Sequence, residues 1–176
     1  MRVMIFSDSH GNTGAMNELA EKYKKQIDCI VHLGDCTEDT AELSGICPGI
    51  PVFQVRGNND YDSMYPHTRT ATIGGKRILM THGHRQKVYY NTDMLYYSAA
   101  EEQADIAMFG HTHIPYLENE GGILIINPGS ISLPRSSLGR TFAFLIIESG
   151  TITASIMSYS RSGIQKLKSI SSGIHF

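Results

Sequence analysis

Three short apolar runs constrain this chain most. Val3–Phe6, Cys29–Leu33 and Val52–Val55 run almost without polar alternation, and each ends in a polar turn. A strand with one wet face alternates polar and apolar residues; a continuous run belongs to a strand covered on both faces. Helical patterns lie between the runs. Met16, Leu19, Ala20 and Tyr23 fall at helical spacing within Thr13–Gln26, with Asn12 or Thr13 as N-cap, and Glu38–Ile46 reads as a short helix stopped by Cys47-Pro48-Gly49. A β-α-β-α-β order of this kind specifies a parallel sheet with helices on its faces.

The second half is richer in hairpins. Thr68–Ile73 and Lys76–Met80 flank Gly74-Gly75, Tyr116–Glu118 and Ile123–Ile126 flank Gly121-Gly122, and Phe142–Glu148 and Ile152–Ser158 flank Gly150. Thr92–Gln103 reads as a helix bearing Leu95, Ala99 and Ala100, and Ile106–Phe109 as one more buried strand. The expected fold is an α/β sandwich of two packed mixed β-sheets with helices outside. A length of 176 residues suits one domain, 1–176, whose last stretch, Lys166–Phe176, holds three serines and is expected to fray.

Composition narrows the function. With 15 basic and 17 acidic residues the net charge is −2, so no basic footprint for duplex nucleic acid is expected. No apolar run reaches the roughly 18 residues that span a bilayer. The three cysteines, Cys29, Cys36 and Cys47, include no Cys-x-x-Cys pair, which argues against a disulfide framework or structural zinc site and fits a reducing, cytoplasmic setting. Neither a Gly-x-x-x-x-Gly-Lys loop nor a Gly-x-Gly-x-x-Gly turn after the first strand is present, which disfavours nucleotide kinases and dehydrogenases.

The chemistry lies in five polar clusters, each just past an expected strand: Asp8-Ser9-His10, Gly34-Asp35, Gly57-Asn58-Asn59-Asp60, His82-Gly83-His84 and Gly110-His111-Thr112-His113. Ligands of open α/β sheets bind beyond the carboxyl ends of strands, so the five clusters should meet on one rim. Carboxylate, amide and imidazole together form a mixed nitrogen and oxygen site suited to Mn, Fe, Zn, Ni or Co. Asp8, His10, Asp35, Asn58, His82, His111 and His113 are too many for one tetrahedral ion. Seven ligands with one bridging carboxylate describe two metals, whose bridging hydroxide would attack phosphorus in line without a Ser or Cys nucleophile.

The ordered set Asp-x-His, Gly-Asp, Gly-Asn-x-Asp, His-x-His, Gly-His-x-His resembles the calcineurin-like metallophosphoesterase family. With Asn127-Pro128-Gly129-Ser130 and Pro134-Arg135 it is most similar to the small bacterial and archaeal phosphodiesterase subfamily. The resemblance implies a four-layer α/β sandwich. It places Asp8, His10, Asp35 and His113 on one metal and Asp35, Asn58, His82 and His111 on the other, Asp35 bridging, with manganese the foremost candidate. The implied activity is hydrolysis of a small phosphate ester, a phosphodiester above all. A monoesterase, a cyclic-nucleotide hydrolase and a dinucleoside-polyphosphate hydrolase are the alternatives, as is a non-catalytic protein-binding scaffold like the retromer subunit of the same fold. A homodimer is a further expectation.

Asn59 departs from the family pattern, where His or Cys occupies this place. An amide can donate to phosphate but cannot serve as a general acid, so activity on alkyl monoesters should be weak and activity on diesters with good leaving groups better. Asp60 should orient the loop carrying Asn58, and His84 could contact substrate or support a ligand. His32 reads as a satisfied core histidine, Cys36 as packing, and Arg56 and Arg135 as salt-bridge residues more readily than phosphate contacts. His67 and His175 receive no role. Tyr89, Tyr90, Tyr96 and Tyr97 read as an aromatic patch packing a helix on the core or on a second subunit, with stacking on a base or aryl group as the alternative.

Overall fold

The computed structural model describes residues 1–61 and 63–172. The three continuous apolar runs form β1 (Arg2–Phe6), β2 (Cys29–His32) and β3 (Val52–Gln54), paired in parallel. β1 also pairs antiparallel with β9 (Arg140–Glu148), which continues through β10 (Thr151–Ser160) to β11 (Gly163–Ser172). This six-stranded sheet has the order β11-β10-β9-β1-β2-β3. The remaining strands are β4 (Thr68–Ile73), β5 (Lys76–Thr81), β6 (Ile106–Met108), β7 (Tyr116–Glu120) and β8 (Ile123–Asn127). They form a five-stranded sheet of order β4-β5-β6-β8-β7, parallel across β5-β6-β8 and antiparallel at its edges.

Side-chain alternation explains why the two sheets stack. Val3 and Ile5 of β1 point into a core shared with Ile78, Met80, Ile106, Met108, Leu124 and Ile126 of the second sheet. Met4 and Phe6 point the other way, against Met16 and Leu19 of α1 (Gly14–Tyr23) and Leu43 of α2 (Leu43–Ile46). On the second sheet, Leu79, Ala107 and Ile125 face outward onto Leu95 and Ala99 of α3 (Asp93–Glu101). Every strand of the parallel centres is therefore apolar on both faces. The α/β sandwich expected from the continuous runs is the fold the chain adopts.

Three local readings change. The helix expected over Glu38–Ile46 divides into a 3-10 turn, Thr37–Thr40, and the four-residue α2. Asp35 and Cys36 enter this segment with left-handed backbone angles (φ 60° and 73°), and the first turn closes with the three-residue bond Ala41 N–H to Glu38 O (3.0 Å) in place of a four-residue one. The helices expected over Thr13–Gln26 and Thr92–Gln103 are each shorter, as α1 and α3. Of the stretch expected to fray, residues 166–172 run in β11 beside β10, while residues 173–176, with His175, lie outside the described residues.

Candidate metal centre

All five clusters follow strands at the same rim, three from the first sheet and two from the second. Asp8 and His10 follow β1, Asp35 follows β2, and Asn58, Asn59 and Asp60 follow β3. His82 and His84 follow β5, and His111 and His113 follow β6. The loops are stitched across the sheets. Asp8 N–H donates to Gly34 O (3.0 Å), Gly110 N–H to His82 O (3.0 Å) and Asn127 Nδ2 to Gly110 O (2.9 Å), while Ser130 and Ser132 hydroxyls donate to Asp8 O at 2.8 and 3.0 Å.

The backbone at this rim is unusual. Asp8, His10, Asp35, His111 and His113 all have positive φ, between 47° and 68°. Asp and His tolerate the left-handed region better than most residues, yet five at one site signify side chains aimed by the surrounding fold. Two glycines permit the crowding. A Cβ on Gly57 would lie 2.6 Å from Asp35 N, and one on Gly110 would lie 2.9 Å from Asp8 Oδ2.

Asp8, His10, Asp35 and His113 bring one ligand atom each within 4.8 Å of one another. His113 Nε2 stands 3.2 Å from Asp8 Oδ1 and 3.2 Å from His10 Nε2, and His10 Nε2 stands 3.6 Å from Asp35 Oδ2. On the other side of Asp35, its Oδ1 lies 3.3 Å from His82 Nε2. The His111 ring sits 5.0 Å from the His82 ring, and His111 N–H donates to Asp8 Oδ2 at 3.0 Å. Asn58 is exposed and lines a cavity of about 290 Å³ together with His84.

The outward nitrogens are spoken for. His82 Nδ1 is 2.7 Å from Leu33 O and His113 Nδ1 is 2.6 Å from Leu133 O; a carbonyl only accepts, so both Nδ1 atoms carry protons. In neutral rings the Nε2 lone pairs then face carboxylate oxygens. Asp8 Oδ1 and His82 Nε2 are buried without a hydrogen-bond partner. Lone pairs collected this way repel unless a proton or a metal cation sits among them. Donors held about 2.0–2.2 Å from one ion stand about 3–3.6 Å apart, the spacing found here, so these residues fit a divalent transition metal.

The electrostatics agree. Burial works to raise the Asp8 carboxyl, but the neighbouring His113 and His82 outweigh it and hold the group below the usual carboxylate range. Asp35 is lowered in the same way, against burial, by His82 and the donors of Asn59. Burial opposes the charging of His82 and His113, yet Asp35 and Asp8 raise the first and Asp8 the second. His111 and His84, pressed by burial and then by the charge of His82, fall to about 4 and are neutral near pH 7.

Two further candidates show defined contacts. Asn59 donates to Asp35 with both its backbone N–H (3.0 Å to Oδ1) and its Nδ2 (2.7 Å to Oδ2). Asp60 accepts from the N–H groups of Gly57 (2.7 Å), Asp35 (2.9 Å) and Thr37 (2.7 Å), so one buried carboxylate ties the β2 and β3 loops together. Cys36 keeps its proton, since burial and then the nearby Asp39 push the thiol up to about 11.

Other residues at the site escape sequence reasoning. The carbonyls of Leu33 and Leu133, which fix two imidazoles, leave no trace in side-chain identity. Ser130, Ser132 and Asn127 could have been found, because an Asn and two Ser next to the apolar run Ile123–Ile126 need a reason to be buried. His32 is fully buried behind the site; Gly34 N–H donates to its Nδ1, so its Nε2–H donates to Ser9 Oγ at 3.0 Å. Tyr89, read as packing, is half exposed, donates to His111 O (3.1 Å) and accepts from Arg135. Arg56 bonds to His67 and to Ser63 O, and neither it nor Arg135 forms an ion pair among the described residues.

A sandwich carrying this carboxylate and imidazole rim belongs to a definite class. The model for the calcineurin-like phosphoesterase superfamily domain matches residues 1–150, and the chain is a member of that family. It is 34% identical over 169 residues to the "Probable metallophosphoesterase YsnB" of Bacillus subtilis (strain 168), covering 96% of this chain and 97% of that one. With the "Phosphodiesterase YfcE" of Escherichia coli (strain K12) it shares 29% identity over 167 residues, 82% of this chain and 87% of that one. The fold also matches wild-type Vps29 of Entamoeba histolytica, crystallised with Zn+2, at a TM-score of 0.81 and 21% identity, covering 97% and 99% of the two chains. Among the described residues no helix is long and apolar enough to cross a membrane.

Proposed function

We propose that the chain is a metal-dependent phosphodiesterase with a two-metal site. Asp8, His10, Asp35 and His113 would hold one ion, and Asp35, Asn58, His82 and His111 the other. One observation carries the reading: His82 and His113, each pinned at Nδ1 by a carbonyl, aim unshared Nε2 pairs at the buried carboxylates of Asp8 and Asp35. When bound, divalent transition metals supply Lewis acidity and bring the pKa of water close to neutrality.

The chain's own residues do the rest. Asp8 and Asp35 stay ionised at working pH and set the net charge of the pocket. His111 and His84, neutral at pH 7, keep a lone pair or an N–H available without adding charge. Asn59, held against Asp35 through its Nδ2, has a second amide hydrogen to offer a phosphate oxygen. No group at its place can give a leaving alkoxide a proton near pH 7, which favours esters whose leaving group departs as an anion. Asp60 acts through the loops it joins. Manganese is the ion of first choice, and the cytoplasm the expected setting.

The test is metal analysis of the purified protein followed by turnover of bis-p-nitrophenyl phosphate with saturating manganese, beside an Asp35→Asn variant. Bound metal and turnover that both fall in the variant support the reading. A wild-type protein that takes up no manganese and turns over no ester would refute it, and would favour the protein-binding scaffold that the Vps29-like fold alone also permits.

A further inference from the structure

The cavity of about 290 Å³ beside Asn58 is lined in part by Arg56, Tyr61 and His67, which the reaction at the rim does not use. Arg56, His67, His84 and Tyr61 line it together with Asn58 and Asp60. Arg56 Nε and one terminal nitrogen lie 3.1 and 2.8 Å from His67 Nε2. A guanidinium only donates, so His67 Nε2 accepts and the ring's proton is on Nδ1. That Nδ1 is buried with no partner, and so is Nδ1 of His84, whose ring stands 5.7 Å from the His67 ring.

The guanidinium itself is only partly used. Of its five N–H groups, one goes to Ser63 O and two to His67, which leaves two to spare. Asp60, the acid on this wall, offers little competing acceptor, because both its oxygens already receive backbone N–H groups. The positive charges of Arg85 and Arg56 both reach His67 and, after burial, help to keep its ring neutral. The cavity therefore has a fixed positive charge with two N–H groups to spare on the same wall as Asn58.

We propose that this cavity is a subsite for a second oxyanion of the substrate, a phosphate or carboxylate carried on one arm of the ester. The guanidinium matches such a group with its two spare donors, and His67, bonded to two of its nitrogens, holds it in place. The inference rests on the phosphodiesterase reading for its catalytic meaning, while the binding of the oxyanion does not need turnover.

The experiment has two arms. In the first, the metal-free protein is titrated by calorimetry with inorganic phosphate and, separately, with acetate, beside Arg56→Gln and His67→Phe. Binding of one of the two anions that weakens about tenfold or more in both variants supports the subsite and tells phosphate from carboxylate. No binding, or binding unchanged in folded variants, overturns it. The second arm compares manganese-loaded turnover of p-nitrophenyl propyl phosphate with analogues whose propyl arm ends in phosphate or carboxylate. The wild type should prefer an anionic arm about tenfold, and the preference should collapse in both variants. Equal rates for the three diesters overturn the subsite. Absence of any turnover beside intact anion binding refutes the phosphodiesterase reading and leaves the subsite standing.

Discussion

Replacing Asp60 by asparagine removes the tie between two loops without changing the shape of the side chain. Asp60 is 5% exposed, with Oδ2 receiving Gly57 N–H and Asp35 N–H, and Oδ1 receiving Thr37 N–H. An amide has one acceptor oxygen. In either orientation its –NH₂ meets at least one of those N–H groups head on. One charge-assisted hydrogen bond is lost, at about 1.5–3 kcal/mol, and a buried N–H is left without a partner, at about 1–3 kcal/mol. The surviving bonds lose their charge assistance as well. Asp60→Asn should therefore lower stability by about 3–5 kcal/mol in urea unfolding of the metal-free protein. Because the same loops carry Asp35 and Asn58, manganese affinity measured by calorimetry should fall about 10–100-fold. A variant within about 1 kcal/mol of wild type, with manganese affinity within about threefold, would refute the role assigned to this carboxylate.

Metal affinity should depend on pH. His82 and His113 are raised above the ordinary histidine pKa, so protons hold the Nε2 positions on the acid side and compete with metal, and manganese affinity should climb as the pH rises past the ordinary histidine value of about 6.5. Calorimetry in buffers of different ionisation enthalpy should detect released protons, and a flat profile with no release contradicts the assignment. His32, wholly buried and depressed by burial to about 4, acts on stability in the opposite sense to a salt-bridged histidine. Between about pH 6.5 and 4 the unfolded chain takes up a proton that the folded chain refuses, so stability present at pH 7 is lost on acidification, by up to about 3 kcal/mol. His32→Gln should flatten the fall in urea midpoint between pH 7 and 5, and an unchanged slope would discount the residue. Asn59→His restores a titratable group where the family pattern has one; activity on alkyl monoesters should rise about 10²-fold or more, and a flat monoester rate at full metal occupancy would argue against the missing-acid account.

How much of this was legible in the sequence follows from which forces are local. The covered strands of the parallel centres were readable because burial on both faces leaves an unbroken apolar run, as in Val3–Phe6. β11 was not. Its register with β10 shifts between Ile156 and Met157, so that Lys168 and Lys166 are consecutive partners and Leu167 has none. That bulge puts the apolar residues Ile164, Leu167 and Ile170 three apart, with Ile164 against the helix side and the other two in the core between the sheets. A two-residue alternation cannot reveal such a strand. The 3-10 turn after Asp35 escaped for a different reason: its first N–H, that of Thr37, is held by Asp60, a residue 23 positions away. The chemistry of the rim was legible in residue types, because carboxylates and imidazoles after apolar strands have few other uses. The contact from Tyr89 to the His111 carbonyl was not readable, because no residue type announces a backbone partner.

The rim and the core stand in a definite energetic relation. Five residues with positive φ oppose folding locally, at roughly 1 kcal/mol each. The site survives because each strained residue lies within two to five residues of the end of a strand, and that strand is locked in the apolar layers, where Ile5, Ile30 and Met108 are fully buried. Strain sits where the covalent lever to the core is shortest. This is why the same few positions read as polar punctuation in the sequence and as left-handed backbone in the fold. The apolar runs fix where the chain must stop being strand, and the rim is what those stops hold in common. Moving one ligand by a single residue would place it on a different part of the turn and break the shared centre, so spacing from strand end to ligand is as binding a constraint as ligand identity.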